Sequence, residues 1–333
     1  MNCKKIFFYT LFIAAGFVSC KKDDSNQIPL IPGADTISNG SVKGIIPGTN
    51  LKIILLKTGY TNSLRTIHFT DDNTGWAAGS SGTIMFTDNG GASFTKLNSG
   101  TNKAIENIFF INKDIGWYVA EDGLIMKSIN GGLSWTAQPA PAVEDLKSVF
   151  FLDKNTGWIT GDKGKIFKTV NSGEQWTALT TNTTKKITRV QATSYTDVYA
   201  CGDDGLFIRS ADGGASWNEL VSGTSYDLLA LHFPSTDKGY VGGQNGVVAS
   251  TNGTNDLSAV NLPLFSESAD IVFTSANTGY TVNKAGKIHY TSNGGTLWTE
   301  VSTGTYYDLK AVSFPSANTG YIAGTSGTII KIH

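Results

Sequence analysis

Gly157-Trp158-Ile159-Thr160-Gly161-Asp162-Lys163-Gly164-Lys165-Ile166 decides the fold of this chain. Two short apolar runs flank a Gly-x-x-Gly turn, which is the pattern of a β-hairpin. The same phrase returns near the C-terminus as Gly320-Tyr321, followed by Gly324-Thr-Ser-Gly327-Thr-Ile329. Working outward, its aromatic residue recurs at Trp76, Trp117, Trp158, Tyr199, Tyr240, Tyr280 and Tyr321. The spacing is 41 residues five times and 40 once. A glycine precedes the aromatic in six copies, and Val198 stands there in the fourth.

Two further phrases keep the same period. Upstream of each hairpin, an aliphatic residue lies two positions before Phe69, Phe110, Phe151, Ala192, Phe233, Phe273 and Phe314. That alternation marks a buried strand. Downstream runs a Ser/Thr-x-Asn/Asp-x-Gly phrase ending in an aromatic, centred on Asn89, Asn130, Asn171, Asp212 and Asn293. The copy at Ser250-x-Asn252 decays after that point. Each unit therefore carries four strands, A to D. One such sheet cannot bury both of its faces, but seven in a ring bury them against each other. The expected fold is all-β, a seven-bladed β-propeller of four-stranded antiparallel blades.

The ends of the chain fit that ring. The last repeat stops at Lys331-Ile332-His333, inside its third strand. Leu51-Lys-Ile-Ile-Leu-Leu56 precedes the first repeat and matches the register of the fourth strand beginning at Trp298. Residues 51–56 are expected to complete the seventh blade, so that opening the ring would cost a strand pairing.

Ahead of the repeats, Lys4 and Lys5 precede an apolar run from Ile6 to Val18, then Ser19-Cys20. This is a secretory signal pattern, too short for a comfortable membrane span. Phe17-Val18-Ser19-Cys20 resembles a lipobox, which implies acylation of Cys20. Lys21-Lys22-Asp23-Asp24 resembles the surface-export signal of Bacteroidetes lipoproteins. The expected organisation is a signal peptide over 1–19, Cys20 and a flexible tether over 20–48, and the propeller over 49–333. The expected place is the outer membrane, facing the exterior, or the periplasm as the alternative. The lipid is the only membrane attachment expected.

The Asn/Asp phrase resembles the Asp-box, or bacterial neuraminidase repeat. Its side-chain oxygen closes a turn on its own backbone, and its role is structural. Together with the Gly-aromatic pair, it makes residues 50 to 333 resemble the photosystem II assembly/stability factor family. That resemblance implies the fold, and it implies a non-enzymatic assembly factor that uses an arginine-rich patch. Only Arg65, Arg189 and Arg209 are arginines here, in separate repeats, so the patch is not expected to carry over.

Catalysis finds little support. Sialidases share the Asp-box propeller but need clustered arginines, and xyloglucanases set two propellers around a cleft. His68, His232, His289 and His333 show no metal-ligand spacing, so neither a metal nor a cofactor is expected. Cys201 reads as a small buried hydrophobe. A formal net charge of -1 argues against nucleic acid.

One ring of residues stands out. Ser63, Ala104, Asp145, Lys186, Asp227, Glu267 and Asp308 each lie six positions before the strand-A aromatic position. They are expected at one mouth of the central channel, beside Tyr226, Tyr306 and Tyr307. Taken singly, such acids cap strand ends and such tyrosines pack beneath loops. Taken together, Asp145, Lys186, Asp227, Glu267, Asp308 and the three tyrosines are the expected binding rim. The function expected is a lipid-anchored, monomeric scaffold that binds a protein at the envelope. The alternative is a carbohydrate-binding or glycoside-hydrolase component of polysaccharide uptake, with a glycan on the same loop face.

Overall fold

The computed structural model describes residues 40–141, 143–252, 257–261 and 267–333. The expected signal peptide, Cys20 and the tether up to residue 39 lie outside them.

Seven antiparallel sheets form seven blades. In blade three, strands A to D are Leu146–Phe151, Gly157–Gly161, Ile166–Thr169 and Thr177–Leu179. The A strands are innermost, where each packs on the A strands of neighbouring blades. The B strands are buried along their whole length in six blades of the ring as described. That is why they read as unbroken apolar runs rather than as an alternation.

The repeating aromatics join the blades. Trp76 stacks on Phe110, and Trp117 on Phe151, each at 3.6 Å between ring centroids. Tyr240 stacks on Phe273 at 3.4 Å, and Tyr321 closes the series on Phe69 at 3.6 Å. Each pair joins strand B of one blade to strand A of the next. Such contacts add about 0.5–1.5 kcal/mol beyond the area they bury. Trp76 also donates from Nε1 to Gly131 O of the following blade, at 2.9 Å.

Ring closure follows the expected register. Strand β2 (Lys52–Leu56) pairs with the last strand, Ile53 opposite Ile332 and Leu56 opposite Ile329. A further strand, β1 (Gly40–Ile45), pairs outside β2 with Gly40 opposite Leu56. Blade seven thus has five strands. The span expected as tether, 20–48, overlaps β1: residues 40–45 join the sheet. Gly-Ser-Val-Lys-Gly-Ile buries little of its own surface, and backbone pairing with β2 holds it there.

The Asp-boxes occupy the C–D turns. In the first, Asn89 Oδ1 accepts from Thr87 Oγ1 at 2.9 Å and from Ser93 N at 3.0 Å. The Asn130, Asn171, Asp212 and Asn293 oxygens accept the same backbone N–H four residues on, at 2.9–3.0 Å. The turn is closed by its own side chain, which spends that oxygen on structure.

Candidate functional site

The D–A loops and B–C turns share one face, and the structure makes the ring acids part of how that face is built. The residue in the middle of a B–C turn has positive φ, as at Asp122 (53°), Asp204 (52°) and Ala285 (63°). Its backbone N–H points toward the next blade. Asp145 Oδ1 accepts from Asp122 N at 3.0 Å, Asp227 Oδ1 from Asp204 N at 3.0 Å, and Asp308 Oδ1 from Ala285 N at 3.2 Å. The other oxygens are also taken. Lys147 Nζ lies 3.2 Å from Asp145 Oδ2, Gln244 Nε2 donates to Asp227 Oδ2 at 2.7 Å, and Lys310 Nζ lies 3.3 Å from Asp308 Oδ2. The Asp122 N–H holds the Asp145 carboxyl below its usual range. These three aspartates are clasps between blades.

The remaining ring residues also have partners. Lys186 pairs with Asp203 at 3.1 Å and Glu267 with Lys284 at 2.7 Å. The tyrosines differ from them. Tyr306 is 93% exposed, Tyr307 53% and Tyr226 45%. They do not pack beneath loops. Thr224 Oγ1 accepts from Tyr226 N and Thr305 Oγ1 from Tyr307 N, which pins each backbone while the ring stays in solvent.

Between these loops opens a mouth pocket of about 270 Å³, lined by Arg65, Glu106, Lys147, Arg189, Glu267 and Lys310 among others. The arginines, expected apart because they lie in separate repeats, are in part brought together: Arg65 and Arg189 line the same pocket, and Arg209 does not. For Arg65 the cause is a β-bulge. Register shifts between the first and third residues of strand A in six blades, as at Leu64/Thr66 and Leu146/Ser148. The extra residue turns Arg65, Glu106, Lys147 and Lys310 toward the channel. Glu106 Oε1 holds Arg65 at 2.6 Å and Lys147 at 3.5 Å. Cations outnumber acids in the pocket.

Chemical groups elsewhere are quiet. Cys201 is fully buried, and burial pushes its thiol up to about 12, so it is no nucleophile at neutral pH. Among the described residues no cluster of three or more His, Cys, Asp or Glu side chains is placed to hold a metal.

A closed ring of seven blades, five of them carrying Asp-boxes, with a polar channel mouth and exposed tyrosines on the same face, defines the class: a β-propeller that presents loops from successive blades on one face. The particular relatives are specific. Residues 93–186, the second and third blades, match the family described as Photosynthesis system II assembly factor YCF48. The fold resembles YCF48 bound to D1 peptide, with TM-score 0.72 at 18% identity, covering 87% of this chain and 99% of that one. It resembles YCF48 from Cyanidioschyzon merolae with TM-score 0.70 at 18% identity, covering 84% and 98%. It also resembles streptogramin B lyase, with TM-score 0.73 at 12% identity, covering 90% and 99%. No curated protein matches the chain in sequence. The family match is confined to residues 93–186, and the likeness to these solved structures is one of fold. One of these neighbours is named as an enzyme, so the architecture alone does not separate binding from catalysis.

Proposed function

We propose that this propeller is a non-catalytic scaffold, held at the cell envelope by a lipid on Cys20, that binds a protein partner across its channel mouth. The observation that carries the reading is Tyr306, with 93% of its surface in solvent, on the same loop face as the exposed Tyr307 and Tyr226 and the polar mouth pocket. Large amphipathic side chains left in water around a concave charged centre are the composition of protein-binding hot spots. The YCF48 structure bound to D1 peptide supports a protein ligand for a propeller of this kind.

The test is cross-linking of the full-length protein in native membranes, followed by mapping of the linked peptides. A variant carrying Tyr226→Ala, Tyr306→Ala and Tyr307→Ala is run beside it. The reading requires one partner linked to the D–A loops and lost from the variant. Links that fall on the Asp-box face, or survive the substitutions, overturn it. Cys20 acylation is read separately from the mass of the mature N-terminus.

A further inference from the structure

The channel below the mouth holds a second set of polar groups. Most of them are spent on joining blades. Asn107 Oδ1 accepts from Val149 N at 3.0 Å, Gln191 Oε1 from Phe233 N at 2.9 Å, and Ser313 Oγ from Phe69 N at 3.1 Å. Three charged or titratable groups with unspent capacity come from blades four, five and six.

Arg189 makes one hydrogen bond, from Nη1 to Thr188 O at 3.0 Å, and among the described residues no carboxylate lies within 4.0 Å of it. A guanidinium carries five N–H donors, so most of its capacity is free. His232 accepts from Phe273 N at Nδ1, at 3.1 Å. Its proton is therefore on Nε2, which faces no protein acceptor among the described residues. Asp270 accepts from Val312 N at 2.9 Å and from Ile271 N at 3.1 Å, which leaves lone pairs over. Burial pushes the Asp270 carboxyl up, and the Arg189 charge pulls it back, across a gap too wide for an ion pair.

All three side chains line one cavity of about 320 Å³. Its other side carries an aromatic pair, Phe109 and Phe150, at 5.5 Å between centroids, among polar residues that include Asn107 and Ser148. Arg189 also lines the mouth pocket, so the two spaces adjoin at its side chain. A few convergent polar groups of opposite charge facing an aromatic wall describe a site for a small amphipathic zwitterion.

We infer that the channel binds a free α-amino acid with an apolar side chain. Its carboxylate sits on Arg189 and His232 Nε2–H, its ammonium on Asp270, and its side chain against Phe109 and Phe150. This goes beyond the scaffold reading and does not depend on it.

Calorimetric titration of the full-length protein tests it, with L-phenylalanine, 3-phenylpropanoate and 2-phenylethylamine as probes. The analogues lack the ammonium and the carboxylate respectively. L-phenylalanine is expected to bind at least about tenfold tighter than either, because each analogue leaves one buried charge unpaired. Asp270→Asn keeps an oxygen for Val312 N but drops the charge. It should abolish the preference for L-phenylalanine over 3-phenylpropanoate. Arg189→Gln should do the same for 2-phenylethylamine. No heat from L-phenylalanine up to about 10 mM, or equal affinity for all three compounds, overturns the inference. The comparison of the three probes uses the unaltered protein, so it stands even if a variant fails to fold.

Discussion

Ala192 and Val198 face each other across the first hairpin of blade four, where the other six blades set a phenylalanine against a glycine. In blade three, Phe151 lies so flat across Gly157 that a Cβ on that glycine would fall 2.6 Å from its ring. The same approach is 2.4 Å at Gly75 and 2.3 Å at Gly320. The space between the strands holds one ring or two small side chains. Blade four has exchanged both partners together.

Gly157→Val is therefore expected to destabilise the propeller by about 1–3 kcal/mol through overpacking. Phe151→Ala should cost about 3–5 kcal/mol through the cavity it leaves. The double variant rebuilds the blade-four pair and should cost less than the sum, with a coupling of about 0.5–3 kcal/mol. Chemical denaturation of the four proteins reads the cycle. Strict additivity would show that the two positions do not share one space.

The strands before the first repeat allow a graded test. Deleting residues 21–48 removes β1 and should lower the melting temperature while the transition stays cooperative. Deleting residues 21–57 also removes β2, which leaves blade seven without its fourth strand and the ring unclosed. That variant should lose the cooperative transition or aggregate. Equal melting of the two would mean that β2 does not latch the ring.

Two histidines set a pH dependence. Burial lowers His68 and His232 to about 4. Both are neutral in the fold, His68 with its Nε2 2.8 Å from Phe110 O. An unfolded histidine titrates near 6.5, so the unfolded state takes up protons first as pH falls. Stability is complete above about pH 6.5 and drains away between there and about pH 4. His232→Gln borrows the solution of blade four, where Gln191 makes the equivalent clasp. It should flatten part of this dependence in thermal melts across that range. An unchanged slope would place the titrating group elsewhere.

The aspartate clasps predict a different outcome from the tyrosines. Asp145→Ala or Asp308→Ala strands a backbone N–H and should cost about 1–2 kcal/mol, whereas the Asn variants should cost less because they keep an acceptor. Tyr306→Ala should leave stability within about 0.5 kcal/mol. Denaturant midpoints for these variants separate the residues that build the mouth from those free to meet a partner.

The fold was legible because every blade repeats its constraints in the same order. A glycine is needed under Phe69 for the same reason as under Phe314, and six copies turn one weak signal into a strong one. The mouth was half legible. Counting six residues back from each strand-A aromatic position found Asp145, Asp227 and Asp308, but it gave no sign that each holds the turn of the blade before. Arg65, Glu106 and Lys147 were missed because alternation assumes an unbroken strand. A bulge at the second residue shifts the side chains that follow it to the other side, and nothing in Leu64-Arg65-Thr66 announces a bulge. Residues 40–45 were missed because a strand held on an edge by backbone pairing alone needs no apolar pattern.

That edge strand also decides how the propeller takes mechanical tension. Gly40 lies opposite Leu56, where β2 turns into the first loop of the channel mouth, so the chain joins the ring on the mouth side. Force applied ahead of Gly40 and directed along the strand shears five paired positions at once. It reaches β2 only after all of them have failed. A pull on His333 meets the Lys52 backbone first and works on the closing pair directly. The ring is built to be tugged from its front end and not from its back.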